Sequence, residues 1–209
     1  MFPKRKYIIS WMALFMFLCS FVLECNSQGY NPAPTCILLE CASYTVIHTE
    51  NEFEIRSYKD ALWISGPKIS ATSYKEGASK GFLILYDYFK GNNEQHVKIN
   101  LTAPVLIDVQ NTYYTVHFYL PQKYQNGLPQ PTRDTVKPVE LPQHKYGAVR
   151  RFGGFLNDSS IATQIAALRA ILQDIPYQVA SSLDQFTVAG YTAPHRVDNR
   201  VNEVIVWFD

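Results

Sequence analysis

The chain has little that announces a chemistry. It contains no Gly-x-Ser-x-Gly turn, no His-Glu-x-x-His helix and no phosphate-cradling glycine loop. That removes the usual signatures of serine hydrolases, zinc proteases and nucleotide enzymes. Histidine is scarce: His48, His96, His117, His144 and His195 are scattered, with no pair at metal-ligand spacing and no Cys-x-x-Cys-His for covalent haem. His195 is the best placed of them, in a loop segment beside Arg196. Charge of one sign is also lacking. A formal net charge of +1, without a basic stripe or an acidic run, gives no reason to expect a nucleic-acid partner or a disordered acidic tail.

Cysteine is sparse and unevenly placed, with four in 209 residues. Two of them, Cys19 and Cys25, fall in an N-terminal segment that does not read as fold. There Lys4, Arg5 and Lys6 precede an uncharged apolar run from Tyr7 to Leu23, and Cys25-Asn26-Ser27 offers small residues for cleavage before Gln28. Residues 1–27 are therefore expected to be a secretory signal peptide, with an uncleaved anchor as the alternative. Its removal takes three positive charges and Glu24, moving the net charge from +1 to −1. The expected location is secreted, or an endomembrane lumen, with no membrane attachment after cleavage. In such a compartment Cys36 and Cys41 can pair, for about 2 kcal/mol by loop-entropy reasoning; two unpaired thiols are the alternative. Asn100-Leu101-Thr102 and Asn157-Asp158-Ser159 are N-glycosylation sequons.

Residues 28–43 read as an N-terminal arm carrying the cysteine pair, and 44–209 as one domain. Strands are expected at Tyr44 to His48, Phe53 to Tyr58 and Ala61 to Ser65. In the second of these, Phe53, Ile55 and Ser57 share one face and Glu54, Arg56 and Tyr58 the other. Glu52 and Glu54 are expected on the solvent side. A first helix opens with Ser73 and Glu76 as a capping box, carries an apolar stripe of Ala78, Phe82, Leu85 and Phe89, and stops at Gly91-Asn92-Asn93. Gly77 and Gly81 weaken it by about 1 kcal/mol each, which Gly81 can repay if something packs close to the backbone there. Strand-like segments follow at Leu101 to Val109 and Tyr113 to Leu120. Residues 121–142, with five prolines, read as a long surface connection anchored by Tyr124, Leu128, Val136 and Val139.

The order then recurs. A strand from Tyr146 to Phe152 leads to a second helix, about Ser159 to Asp174, capped by Asp158 or Ser159 and striped by Ile161, Ile165, Leu168, Leu172 and Ile175. Strands at Phe186 to Tyr191 and Val201 to Phe208 complete the chain. Thr102-Ala103-Pro104 and Thr192-Ala193-Pro194 follow the two helices, 90 residues apart. The reading is α+β: a largely antiparallel sheet that curls toward a barrel, with two flanking helices, built from two pseudo-repeated halves of about 44–120 and 143–209.

Tyr74, Phe82, Tyr86, Tyr88 and Phe89 crowd the first helix, as core side chains or as the lining of an apolar groove for a flat ligand. At this point a run of short motifs converges. Glu40-Cys41-Ala42-Ser43-Tyr44, Phe53-Glu54-Ile55-Arg56-Ser57-Tyr58 and Leu101-Thr102-Ala103-Pro104-Val105 come first. Phe152-Gly153-Gly154-Phe155, Val188-Ala189-Gly190-Tyr191 and Arg200-Val201-Asn202-Glu203-Val204 follow in order. From Cys36 to Asp209 the chain resembles the SOUL, or haem-binding protein, family, and its Cys-x4-Cys start resembles a secreted subgroup. The resemblance implies a twisted barrel of duplicated origin with two helices. It also implies non-covalent binding of haem or another tetrapyrrole in a groove beside the first helix. Ser79, Phe82 and Tyr86 would face the ligand and Arg196 would meet a propionate. No catalytic reaction is implied, and no axial histidine is required. Three positions depart from the family pattern. Leu101 replaces a methionine and Val201 an arginine. Asp87 stands where a helix lysine would meet the second propionate. The expected function is a monomeric, non-catalytic tetrapyrrole-binding protein. The alternatives are an interaction or structural module that lost the ligand, and a small-molecule hydrolase using Glu203.

Overall fold

The computed structural model describes residues 29–50, 52–173 and 185–209. The signal segment, Ile175 and Pro176 lie outside these. Twelve strands and two helices are described: β1 Glu40–Cys41, β2 Tyr44–Glu50, β3 Phe53–Tyr58, β4 Ala61–Ser65, β5 Ile69–Ser70, α1 Tyr74–Phe89, β6 Thr102–Ala103, β7 Val105–Gln110, β8 Tyr113–Tyr119, β9 Lys137–Leu141, β10 Tyr146–Phe152, α2 Asp158–Gln173, β11 Gln185–Gly190 and β12 Asn202–Phe208. Ten strands form one antiparallel sheet in the order β2-β3-β10-β12-β11-β7-β8-β4-β9, with β5 beside β8. The sheet curls into a half-barrel whose ends are β2 and β9. About the central β11–β7 pair the order is balanced. The segment β4-α1-β7-β8 lays its strands as β4-β8-β7, and β10-α2-β11-β12 as β10-β12-β11. The strand preceding each segment, β3 or β9, joins the other block.

Both helices pack on one face of this sheet, α1 on β8 and β5, α2 on β10 and β12. The main core lies between: Phe53, Ile55, Val116, Phe118, Val188 and Val206 from the strands meet Leu85 and Phe89 of α1 and Ile161, Ile165, Leu168 and Leu172 of α2. This is the period-two alternation of the strands meeting the helical stripes. Gly77 and Gly81 have a clear role here. A Cβ on Gly77 would lie 2.3 Å from the Tyr114 ring, and one on Gly81 2.4 Å from Val116 Cγ2. The two glycines, one turn apart, let α1 sit directly on β8.

The opposite, helix-free face is also covered in part. A second apolar cluster of Trp63, Leu106, Tyr119, Val149, Ala189 and Ile205 packs under Ala33, Cys36, Cys41 and Ala42 of the N-terminal arm. Cys36 and Cys41 form a disulfide with a Cα–Cα distance of 5.5 Å. Beside it, β1 pairs parallel with β6.

Four expectations need correction. Glu54 is not on a solvent face. It is fully buried because the arm covers that side, and Tyr30 N–H donates to its Oε1; Glu52 alone is exposed and bonds Arg150. The segment 121–142 is not only a connection, since it contains β9, paired along β4 with Pro138 opposite Ile64. Proline is tolerated there because β9 is an edge. The strand expected from Leu101 to Val109 is broken at Pro104 into β6 and β7. Finally, α2 is capped by Asn157, whose Oδ1 accepts from Ser160 N–H at 2.8 Å while Ser160 Oγ accepts from Asn157 N–H. Asp158 instead accepts from Tyr74 N–H at 2.8 Å, tying the starts of the two helices together.

Candidate functional site

The α1 surface begins at its cap. Ser73 Oγ accepts from Glu76 N–H, and the Glu76 carboxylate reaches back one residue beyond the box, to Thr72 N–H and its hydroxyl. From there Ser79, Phe82, Leu83 and Tyr86 follow at helical spacing along one flank. Ser79 is exposed, and Phe82 and Tyr86 are half-buried. Their rings stack at 5.6 Å with planes 19° apart, and Phe82 rests on Phe118 at 5.1 Å. Leu83 is 63% exposed. The fold thus brings Ser79, Phe82 and Tyr86 together on a flank that keeps apolar surface in water.

Two cations at the far end of this flank escaped the sequence reading. Lys90 lies one turn beyond Tyr86, with Nζ 5.5 Å from the Tyr86 ring centroid. Arg133, from the proline-containing connection, bonds the Asp87 carboxylate at 3.0 Å, and Asn92 bonds the same oxygen. Asp87 is therefore a neutralised anion. The i,i+4 spacing from Tyr86 to Lys90 was readable; the approach of Arg133 across 46 residues was not.

Arg196 is exposed in the loop between β11 and β12, its N–H donating to Ala193 O. Arg200 pins that loop, donating to Gly154 O and lying 4.6 Å over the Phe155 ring. The loop therefore abuts the segment leading into α2, at the end where Asp158 holds α1. Among the described residues, no hydrogen bond or ring contact joins Arg196 to Phe82 or Tyr86.

A second set of charges lies on the helix-free face. Arg56, fully buried, donates to both oxygens of Glu203 at 2.9 Å and to Glu54 at 2.6 Å. Arg151 adds two bonds to Glu203 Oε1, and Tyr191 donates its hydroxyl to Oε2. The Tyr44 ring covers the Arg56 guanidinium at 4.0 Å. Burial alone would raise the Glu203 carboxyl, but the charges and hydrogen bonds of Arg56 and Arg151 hold it below its ordinary value. With both oxygens engaged and no surface exposed, Glu203 cannot serve as the base of a hydrolase. The network is structural, and it fixes the tyrosines around it.

That wall of rings borders a cavity of about 660 Å³ on the same face, with Tyr58, Trp63, Tyr119, Tyr191 and Trp207 among its lining. None of Ser79, Phe82, Tyr86 and Arg196 lines it. Among the described residues no group of three or more histidines, cysteines or acids is placed to hold a metal, and no helix is long and apolar enough to cross a membrane.

Comparison with known proteins accords with the motifs. Heme-binding protein 2 of Homo sapiens is 31% identical over 159 residues, covering 73% of this chain and 76% of that protein. Heme-binding protein 1 of Xenopus tropicalis is 28% identical over 164 residues, covering 75% and 82%. Among solved structures, a hydrolase from Listeria innocua aligns with 77% of this chain and 93% of its own, at 9% identity and a TM-score of 0.46, too distant to bear on chemistry. The model of the SOUL heme-binding protein family matches residues 39–207, and with that span, the motif order and the half-barrel with two helices, the chain belongs to the SOUL family.

Proposed function

We propose that this protein is a secreted, non-catalytic carrier or scavenger that binds haem or another tetrapyrrole non-covalently against the exposed flank of α1. The observation that carries this is the stacked Phe82–Tyr86 pair beside the exposed Leu83, an apolar platform in a chain whose relatives are named heme-binding proteins. A planar macrocycle buries its face on such rings. Its propionates need cations, and Lys90 stands at one end of the platform, where Arg133 already offsets Asp87, with Arg196 as a further partner for a propionate. Bound haem would supply the iron and macrocycle; the chain supplies apolar contact and charge pairing. The apolar run before Gln28 and the Cys36–Cys41 disulfide support an oxidising destination. Exposed Asn100 and Asn157 are accessible for glycans.

Haemin titration of the full chain expressed in a secreting host tests the reading. A saturable Soret shift at micromolar haemin is expected, weakened about tenfold or more by Phe82→Asp and severalfold by Arg196→Glu. Unchanged spectra at micromolar haemin overturn it. The interaction-module reading would then be favoured, since Leu83, Phe155 and Val197 also expose apolar surface. N-terminal sequencing of the secreted product should begin at Gln28, and deglycosylation should lower its mass.

A further inference from the structure

The cavity on the helix-free face is a different place from the α1 platform. Along β8, Val116 and Phe118 point toward the helices, whereas Tyr119 belongs to the opposite cluster and lines the cavity. The volume, about 660 Å³, falls in the range of small-molecule sites. Its rings are held rather than loose. Trp63 meets Tyr119 edge-on at 5.3 Å, Tyr58 meets Trp207 at 5.3 Å, and the Tyr58 and Tyr191 hydroxyls are bonded to Arg56 and Glu203.

Among the polar groups of the lining, Asp108 lies on the central strand β7. Trp207 Nε1–H donates to Thr187 Oγ1 at 2.7 Å, which commits the threonine hydrogen to Asp108 Oδ1 at 2.6 Å. His117 Nε2 lies 3.0 Å from Oδ2; since an ionised carboxylate only accepts, that nitrogen carries the hydrogen. The Asp108 side chain is still 49% accessible, and a carboxylate offers about four acceptor positions of which these donors take two. Around the rim, Lys59 and Lys68 are matched in number by Asp60 and Glu140. The Lys68 ammonium is already bonded to Gln110 and lies 4.6 Å from the Tyr113 centroid. His144, also in the lining, is bonded to Asp209. Asp108 therefore leaves the lining with one net negative charge at neutral pH.

We infer that this cavity is a second binding site, for a flat organic cation such as an aromatic amine or a nitrogen heterocycle. Ring faces attract a cation through their quadrupole, the flat body lies against Trp207, which Thr187 links to Asp108, and an N–H or N⁺ meets Asp108. Flat anions such as haem propionates are disfavoured by the same carboxylate.

The two tryptophans are convenient reporters. The chain has three, Trp11, Trp63 and Trp207, and the last two line the cavity. In a Trp11→Phe form of the full chain, proflavine, a flat aromatic cation, should quench tryptophan fluorescence saturably and shift the Trp207 indole N–H resonance. Asp108→Asn should weaken it about tenfold or more. Anilinonaphthalene sulfonate, a flat anion, should not shift that resonance, and saturating haemin should not displace proflavine. An unshifted Trp207 indole in the otherwise unsubstituted protein overturns the inference without relying on a site variant. So does an Asp108→Asn protein of unchanged melting temperature that binds proflavine equally well, or displacement by haemin at one equivalent. The proflavine arms stand even if haemin does not bind, so the two readings fail separately.

Discussion

At the scale of single residues, the glycines of α1 show how a local penalty becomes a packing gain. Alanine at Gly77 or Gly81 would gain about 1 kcal/mol of helix propensity. The added Cβ would meet the Tyr114 ring at 2.3 Å or Val116 Cγ2 at 2.4 Å, and overpacking a sheet-facing helix costs about 1–3 kcal/mol, occasionally more. Repulsion wins, because the atoms struck belong to buried side chains near their backbone, not to flexible tips. Gly77→Ala and Gly81→Ala should each destabilise the protein by about 1 kcal/mol net. Combining Gly81→Ala with Val116→Ala should cost less than the sum of the two single changes, as urea unfolding of the three variants would measure. Because the same packing sets the height of α1 over β8, and hence the seat of Phe82 on Phe118, these variants should also weaken haemin binding.

At the scale of elements, the helices were the most legible part of the sequence. Their stripes and the Ser73 cap announce themselves in consecutive residues, and the chain delivers them within a residue or so. Four things were less visible, each for a physical reason. Strand β9 hides behind Pro138 and Pro142, since proline argues against a strand unless it is known to be an edge. The burial of Glu54 depends on an arm that covers a sheet face, which no alternation within β3 can reveal. The cations beside the α1 platform come from a helix end and a distant connection, and the cavity assembles one or two side chains from each of many strands. The arm itself makes a prediction. Cys36–Cys41 closes a short loop, so reduction should remove about 2 kcal/mol. For a domain of this size that corresponds to a fall in melting temperature of about 4–8 °C. A Cys36→Ser/Cys41→Ser protein should start at the lower value and be insensitive to reductant; equal melting with and without reductant would show that the arm is held by its apolar contacts alone.

At the scale of the whole molecule, one sheet carries two differently built faces. The helix face is held by apolar packing. The other face joins β3, β10, β12 and the arm through Glu54, Arg56, Arg151 and Glu203, so its stability must depend on pH. Burial would raise the Glu203 carboxyl, but Arg56 and Arg151 hold it lower in the fold than in the unfolded chain. Asp108, half-exposed at the cavity, shifts in the same direction: partial desolvation pushes it up, and its bonds to His117 and Thr187 bring it down. A depressed folded value means a contribution fully present above the unfolded value, roughly 4, and lost as pH falls through the folded one. Tyr58 and Tyr191 run the other way. Burial raises both phenols, so their contribution is present below roughly pH 10 and disappears above it. Melting temperature should therefore be nearly flat from about pH 6 to 9, fall steeply below about pH 4, and fall again on the alkaline side. Glu203→Gln should cost about 3–5 kcal/mol at pH 7, because it leaves Arg56 buried with too little countercharge. It should also flatten the acid limb, since one of the carboxylates that must be protonated there is gone. A thermal-melt series from pH 3 to 11 on both proteins checks this; an acid limb equally steep in Glu203→Gln would place the acid sensitivity in other carboxylates.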